Sequence, residues 1–311
     1  MALGAGQGRL SPCSRRKHVA SWTSRRNHQG PKQPACDDRA GEKSGGYLLM
    51  DDWFDFAPRM AICEGLLAVR ILALETSTNQ ASVALWESGT LQAEQCIVAE
   101  RRIARFLLST VQQVLDEHGW KPKDVQLVAV SQGPGSFTGL RVGLTTAKTF
   151  AYAQQVPVIG VNTLEVIAEQ SFYPLDREAA VTTADLAQPL SVVMNAHREQ
   201  FFAATFTAST STSCQVMEAT HLVDRESWLN QLASGCSVSG PGLSLVETKL
   251  PSTVTIVEPS LCRPRAAGVA RLAERSLPTE EFSEKALRDQ IFSLRPAYYR
   301  RSAAEEKRET G

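Results

Sequence analysis

Nine residues, Gly133-Pro134-Gly135-Ser136-Phe137-Thr138-Gly139-Leu140-Arg141, stand between an apolar run over 125–130 and a helical pattern from Leu140 to about Gln154. A buried strand must therefore pass into a helix through a glycine turn. Glycine permits positive φ and close backbone approach, and Pro134 fixes its own φ inside the turn. Ser136 or Thr138 can cap the first amides of the helix, whose unpaired N–H groups and dipole favour an anion. Gly133, Gly135, Ser136, Thr138, Gly139 and Arg141 are thus the candidate anion-binding residues. The spacing G-x-G-x-x-x-G is one residue longer than the dinucleotide fingerprint, and the stretch from Gly143 to Lys148-Thr149 lacks the second glycine of a Walker loop. A strand–helix turn whose glycines serve only packing accounts for the residues equally well.

A chain of 311 residues is long enough for one large or two modest domains. Net charge is zero, but residues 1–43 hold nine Lys/Arg against three Asp/Glu, which leaves 24 basic and 30 acidic residues from 44 onward. A body with that acidic excess is poorly suited to hold nucleic-acid phosphates unaided. Cys13, Cys36, Cys63, Cys96, Cys214, Cys236 and Cys262 are scattered, with no C-x-x-C pair, as expected for free thiols in a reducing cytoplasm. Residues 1–66 are polar and basic at first, without periodicity over the first 45 or so, and are expected to be a disordered extension. Arg15-Arg16 and Arg25-Arg26 are followed by no apolar stretch, so export is not expected. A solvated tail, or a true start at Met50 or Met60, is the expectation, with a basic arm touching nucleic acid as the alternative. The best apolar run, 66–74, is short and interrupted by Arg70, so no membrane span is expected.

The fold is expected to begin at Val69. Apolar runs at 69–74, 81–86 and 91–98 read as three strands separated by polar turns. A helix over 101–118 follows, with Ile103, Leu107, Val111, Val114 and His118 in one stripe and Ala104, Leu108 and Leu115 widening it. That arc is broader than one sheet contact requires. After strand 125–130 and helix 140–154, in which Gly143, Ala147 and Ala151 recur every four residues, come a strand at 156–161 and a helix capped by Thr163. The row of small residues would let another helix approach closely, or would face this domain's own sheet.

A second half repeats the order. Strands at 190–195, 201–207 and 215–223, a helix capped by Asp224 and running to about Leu232, strands at 236–239 and 254–257, and a helix at 264–276 follow one another, and Gly240-Pro241-Gly242 echoes Gly133-Pro134-Gly135. Two halves reading β-β-β-α-β-α imply an internal duplication, the α/β pattern of the actin/Hsp70/sugar-kinase (ASKHA) superfamily. The expected domains are 67–175 and 176–300, with a charged tail over 301–311. A kinase or ATPase on this fold needs carboxylates to hold Mg²⁺ and activate a nucleophile. Glu75 could fill the first such position, but Asn195, at the matching start of the second half, cannot act as a base. His118, His197 and His221 are far apart in sequence and form no H-x-x-x-H, so no metal site and no catalytic residue is expected.

The segment 131–159, SQGPGSFTGLRVGLTTAKTFAYAQQVPVI, resembles the hallmark stretch of the TsaB (YeaZ) family. ILALETSTNQASVAL, IGVNTLEVIAE and the closing Pro296-Ala297-Tyr298-Tyr299-Arg300 are similar to further elements of that family, so the resemblance runs from about Val69 to Arg300. This chain has Glu75 where the family commonly has Asp, Ile103-Ala104-Arg105 in place of His-Ser-Glu, and Asn195-Ala196-His197 in place of Asp-Ala-Arg. The resemblance implies a non-catalytic scaffold in making threonylcarbamoyladenosine at position 37 of tRNA. It would pair with a homologous TsaD-like transferase through the helices 101–118 and 138–154. The implied interface is Ala104, Leu108, Val111, Leu115, Leu140, Gly143, Leu144, Ala147 and Ala151. ATP and metal would reside on partner subunits, which include a TsaE-like ATPase, and tRNA would be held indirectly. A homodimer of the isolated chain is a further expectation, and an ASKHA-type small-molecule kinase or ATPase is the alternative function.

Overall fold

Continuous apolar strands need cover on both faces, and the fold supplies it with helices drawn from both halves of the chain. The computed structural model describes residues 69–98, 103–175, 188–210, 213–277 and 282–300. The expectations for 1–66 and 301–311 lie outside the described residues. In the first half, β1 (Arg70–Glu75), β2 (Gln80–Glu87), β3 (Thr90–Val98), β4 (Leu127–Gly133) and β5 (Val158–Asn162) form a sheet in the order β3-β2-β1-β4-β5. β1 pairs antiparallel with β2 and parallel with β4, so the chain must cross over through α1 (Ile103–Glu117) to reach the far side of β1. α2 (Phe137–Gln154) makes the next crossover, to β5, and α3 (Thr163–Phe172) follows.

The second half repeats this wiring. β6 (Leu190–Asn195), β7 (Gln200–Thr210), β8 (Ser213–Asp224), β9 (Ser237–Ser239) and β10 (Thr255–Ile256) run β8-β7-β6-β9-β10, with the same alternation of antiparallel and parallel neighbours. This is the duplicated α/β order of the ASKHA superfamily, and each half holds the five strands that its apolar runs lead one to expect. The halves differ at one crossover. Where α2 runs for 18 residues, the second half has two short 3-10 turns, Pro241–Leu245 and Glu247–Lys249, after Gly240. α2 carries inward-facing Leu140, Leu144, Ala147 and Ala151 at helical spacing, whereas the matching stretch ends at Pro251, which cannot continue a helix. α4 (Arg225–Gln231) fills the other crossover.

The last long helix of each half packs on the other half's sheet. On one face of the first sheet, Leu72, Leu74, Val83 and Leu85 meet α1, α2 and α6 (Glu284–Ser293); on the other, Ile71, Ala73, Ala84 and Trp86 meet α5 (Ala266–Arg275). Ser82 Oγ accepts from the Ala266 amide at 2.8 Å and Trp86 Nε1 donates to Glu274 Oε2 at 2.9 Å, pinning α5 at both ends. Conversely, Leu164, Ile167 and Phe172 of α3 join Leu190, Val192, Met194 and Phe206 of the second sheet. Residues on either side of 176–187 thus belong to different sheets, tied by exchanged helices.

Two local expectations are corrected, and one helix is added. Asn162, not Thr163, caps α3: its Oδ1 accepts from the amides of Leu164 at 2.8 Å and Glu165 at 3.4 Å, while Thr163 lies buried inside the helix. Asp224 makes no side-chain cap; its Oδ1 accepts from Gln200 Nε2 at 3.1 Å. α6 went unread, because it is short and largely charged; Ser283 caps it, and only Leu287 and Ile291 are buried. Among the described residues no helix is long and apolar enough to cross a membrane.

Where α3 and α5 cross, Glu169 is fully buried between Arg275, 2.7 Å away, and Arg271, 3.4 Å away. Desolvation pulls the Arg271 pKa down, and the Glu169 charge opposes that pull. Removing the carboxylate leaves the mostly buried Arg271 without its countercharge and beside a second guanidinium, that of the partly exposed Arg275. Glu169→Ala should therefore lower unfolding stability by about 3–5 kcal/mol, read from denaturant melts.

Candidate functional site

The glycine turn leaves β4 at Gly133 and enters α2 through Ser136, whose Oγ accepts from the Gly139 amide at 3.2 Å as an N-cap. It does not stand open. The turn between β1 and β2 lies directly on it, and the Ser136 amide donates to the Ser77 carbonyl at 2.7 Å. A Cβ on Gly135 would sit 2.5 Å from Ser77 O, one on Gly139 2.1 Å from Thr76 O, and one on Gly143 2.1 Å from Thr76 Oγ1. These glycines therefore admit the chain's own backbone. Of the candidate anion-binding residues, Gly135 and Gly139 serve that close packing, Gly133 lies against Ala297 O instead, and Ser136 caps the helix. Thr138 and Arg141 face solvent, and the Arg141 guanidinium lies 3.7 Å from the centre of the Phe137 ring.

Beneath the turn, Glu75 is wholly buried. Its Oε1 accepts from the Ser77 amide and the Ser77 hydroxyl, both at 2.5 Å, while Oε2 has no hydrogen-bond partner. Burial pushes the Glu75 carboxyl above its ordinary 4.5, and the bonds from Ser77 and Ser131 offset only part of that push. A carboxyl so enclosed shapes the β1–β2 turn; it cannot reach a ligand in solvent. At the matching place in the second half, exposed Asn195 accepts from the His197 amide at 2.8 Å and from Arg225 at 3.3 Å. His118 contacts Val114 O and His221 contacts Ala219 O, each within its own element. Among the described residues, no three of His, Cys, Asp or Glu are grouped to hold a metal ion.

The residues expected at an interface divide sharply. Ala104 is exposed and Leu108 is 65% exposed, beside Phe106 at 40%, which was not singled out from the sequence. Val111, Leu115, Leu140, Leu144, Ala147 and Ala151 are buried in the protein's own core, and Gly143 is buried against Thr76. The small-residue row therefore faces this domain's sheet and turn, which corrects its assignment to a partner helix. The wide apolar arc of α1 contains two faces: Leu107, Val111, Val114 and Leu115 point inward, while Ala104 and Leu108 point outward.

Two outcomes follow from the packing. A free helix gains about 1 kcal/mol from Gly→Ala, but Gly139→Ala should cost about 1–3 kcal/mol here, because the added methyl meets Thr76 O; chemical denaturation measures the sign. For Glu75, a folded pKa above the unfolded one favours folding below pH ~4.5 and loses that contribution as pH rises toward the folded value. Melting temperatures recorded from pH 4.5 to 8 should show this decline in the native chain and a flatter profile in Glu75→Gln.

A family model described as TsaD, tRNA N6-adenosine threonylcarbamoyltransferase, matches residues 97–307, well over half of the chain. The tRNA threonylcarbamoyladenosine biosynthesis protein TsaB of Escherichia coli is 41% identical over 103 residues, covering 32% of this chain and 43% of that protein. TsaB of Bacillus subtilis is 34% identical over 98 residues, again 32% of this chain and 43% of the relative. The chain thus spans less than half the length of these curated relatives. YeaZ from Pseudomonas aeruginosa superposes with a TM-score of 0.60 at 24% identity, covering 74% of this chain and 99% of that one, which shows the shared fold. The chain belongs to the TsaB (YeaZ) family, within the Gcp-like superfamily that the matching TsaD model represents.

Proposed function

We propose that this protein is a non-catalytic subunit in the biosynthesis of threonylcarbamoyladenosine on tRNA, and that it pairs with a TsaD-like transferase through the outer face of α1. The carrying observation is Leu108, 65% exposed on a helix whose inner stripe is already fully packed. Ala104, one turn before Leu108, extends that face, and an exposed large apolar side chain on a helix fits a partner helix better than water. The names of the relatives supply the pathway. The enclosure of Glu75 and the commitment of the Ser136 amide to Ser77 favour a scaffold over a kinase or ATPase. ATP, metal and tRNA would then belong to partner subunits, a TsaE-like ATPase among them, in the cytoplasm, and the isolated chain would homodimerise through the same face.

Leu108→Glu places a charge in the proposed seam. It should weaken the pair by about 4 kcal/mol, close to a thousandfold in Kd. The monomer's stability should change by no more than about 0.5 kcal/mol, since the side chain is exposed. Titration against a TsaD-like protein, alongside circular dichroism melts, reads both. Unchanged binding would remove α1 from the interface, and steady ATP turnover by the purified chain, lost in Glu75→Ala, would promote the kinase reading.

A further inference from the structure

The sequence presents 294–300 as a closing motif before a charged tail, but the structure makes it a crossing between the two halves. α/β sheets of this kind take ligands in the crevice at the carboxyl ends of their parallel strands. Here β4 ends at Gly133, β5 at Asn162 and β6 at Asn195, and the segment after α6 passes all three. The Ala297 amide donates to Gln132 O at 2.9 Å, and Gln132 Nε2 donates to Arg295 O at 2.7 Å. Tyr298 accepts from Arg141 Nε at 3.1 Å and sets its ring 5.5 Å from that of Phe137, at the first turn of α2. The Tyr299 hydroxyl accepts from Asn162 Nδ2 at 3.0 Å, and its ring lies beside Phe202 of β7. Arg300 donates to Ala196 O at 2.6 Å and to the Gln200 side chain. Two glycines leave room for the crossing: a Cβ on Gly133 would sit 3.0 Å from Ala297 O, and one on Gly160 2.8 Å from Leu294 Cδ1.

The far end of the crossing grips an unusual turn. Between β6 and β7, His197, Arg198 and Glu199 have φ of 60°, 49° and 57°, three consecutive side-chain-bearing residues in the left-handed region. L-residues adopt that region at a cost, and strained turns persist only where their surroundings over-determine them. Arg225 holds one side, through Glu199 Oε2 at 2.8 Å and Asn195 Oδ1 at 3.3 Å. Arg300 holds the other.

We propose that residues 294–300 form a latch, in which Tyr298 grips the start of α2 and Arg300 grips the strained β6–β7 turn, so that the two turns at the mouth of the crevice open together. Native-state amide hydrogen exchange on the full chain tests this, with Tyr298→Ala and Arg300→Ala compared with the unaltered protein. Each single variant should speed exchange about tenfold or more at both ends: at Ser136 and Gly139 beside α2, and at Ala196 and Gln200 in the β6–β7 turn. Glycine at 197 alone, which keeps the Arg225–Glu199 pair, should restore part of the protection at Gln200 in the Arg300→Ala background, because glycine relieves the strain there. If Tyr298→Ala affects only the α2 end and Arg300→Ala only the β6–β7 end, the contacts are independent and the latch is overturned. Acceleration spread evenly over both sheets would overturn it as well, as general loss of stability, and failure of the glycine rescue would overturn the strained-turn half.

Discussion

The approach of the Thr76–Ser77 backbone to α2 governs how the first half of this molecule is built. Three positions on the turn and helix, Gly135, Gly139 and Gly143, lie so close to that backbone or to the Thr76 side chain that no Cβ fits. With α2 lowered onto the β1–β2 turn, Leu140, Leu144, Ala147 and Ala151 reach the sheet, and the helix presents a face that α6 can cover. Glu75 anchors the other side of the contact by fixing Ser77 through both its amide and its hydroxyl. The cost of burying a carboxyl is accepted here because it shapes the turn that the helix rests upon. A loop that reads as an anion cradle is, in three dimensions, a seat for the chain's own main chain.

Exchange of the terminal helices supplies the second constraint. α3 leaves the first sheet to pack on the second, α5 does the reverse, and they meet over buried Glu169 and its two arginines. Each sheet depends on a helix encoded in the other half, so neither half carries a complete core. The duplication visible in the strand order is therefore a duplication of wiring, with packing shared between the copies.

Strand positions, the order of the two halves and the placement of α1 and α2 were legible because they follow from local pattern: apolar runs bounded by polar turns, and apolar residues at helical spacing. What escaped was tertiary. Gly143, Ala147 and Ala151 are as good a row for a partner helix as for a sheet, and only the position of Thr76 decides between them. Leu108 and Leu115 belong to one apolar arc in sequence but point to opposite environments, since helix rotation is set by packing. Asn162 displaced Thr163 as a cap because β5 runs one residue further than its apolar run. The passage of 294–300 along the strand ends has no periodic signature at all; short-range pattern says nothing of a contact between Arg300 and Ala196.

The unequal crossovers bear on how copies of this fold can assemble. In the first half two long helices, α1 and α2, stand side by side over the sheet; in the second, the counterpart of α2 is a pair of short 3-10 turns, Pro241–Leu245 and Glu247–Lys249. A perfectly repeated protein would offer the same helical pair twice, once per half, and such pairs could join chain after chain into an open filament. Here the second pair is missing a member. An association built on two long helices per chain would draw on the first half alone, and with one such self-complementary surface on each molecule it would close at two.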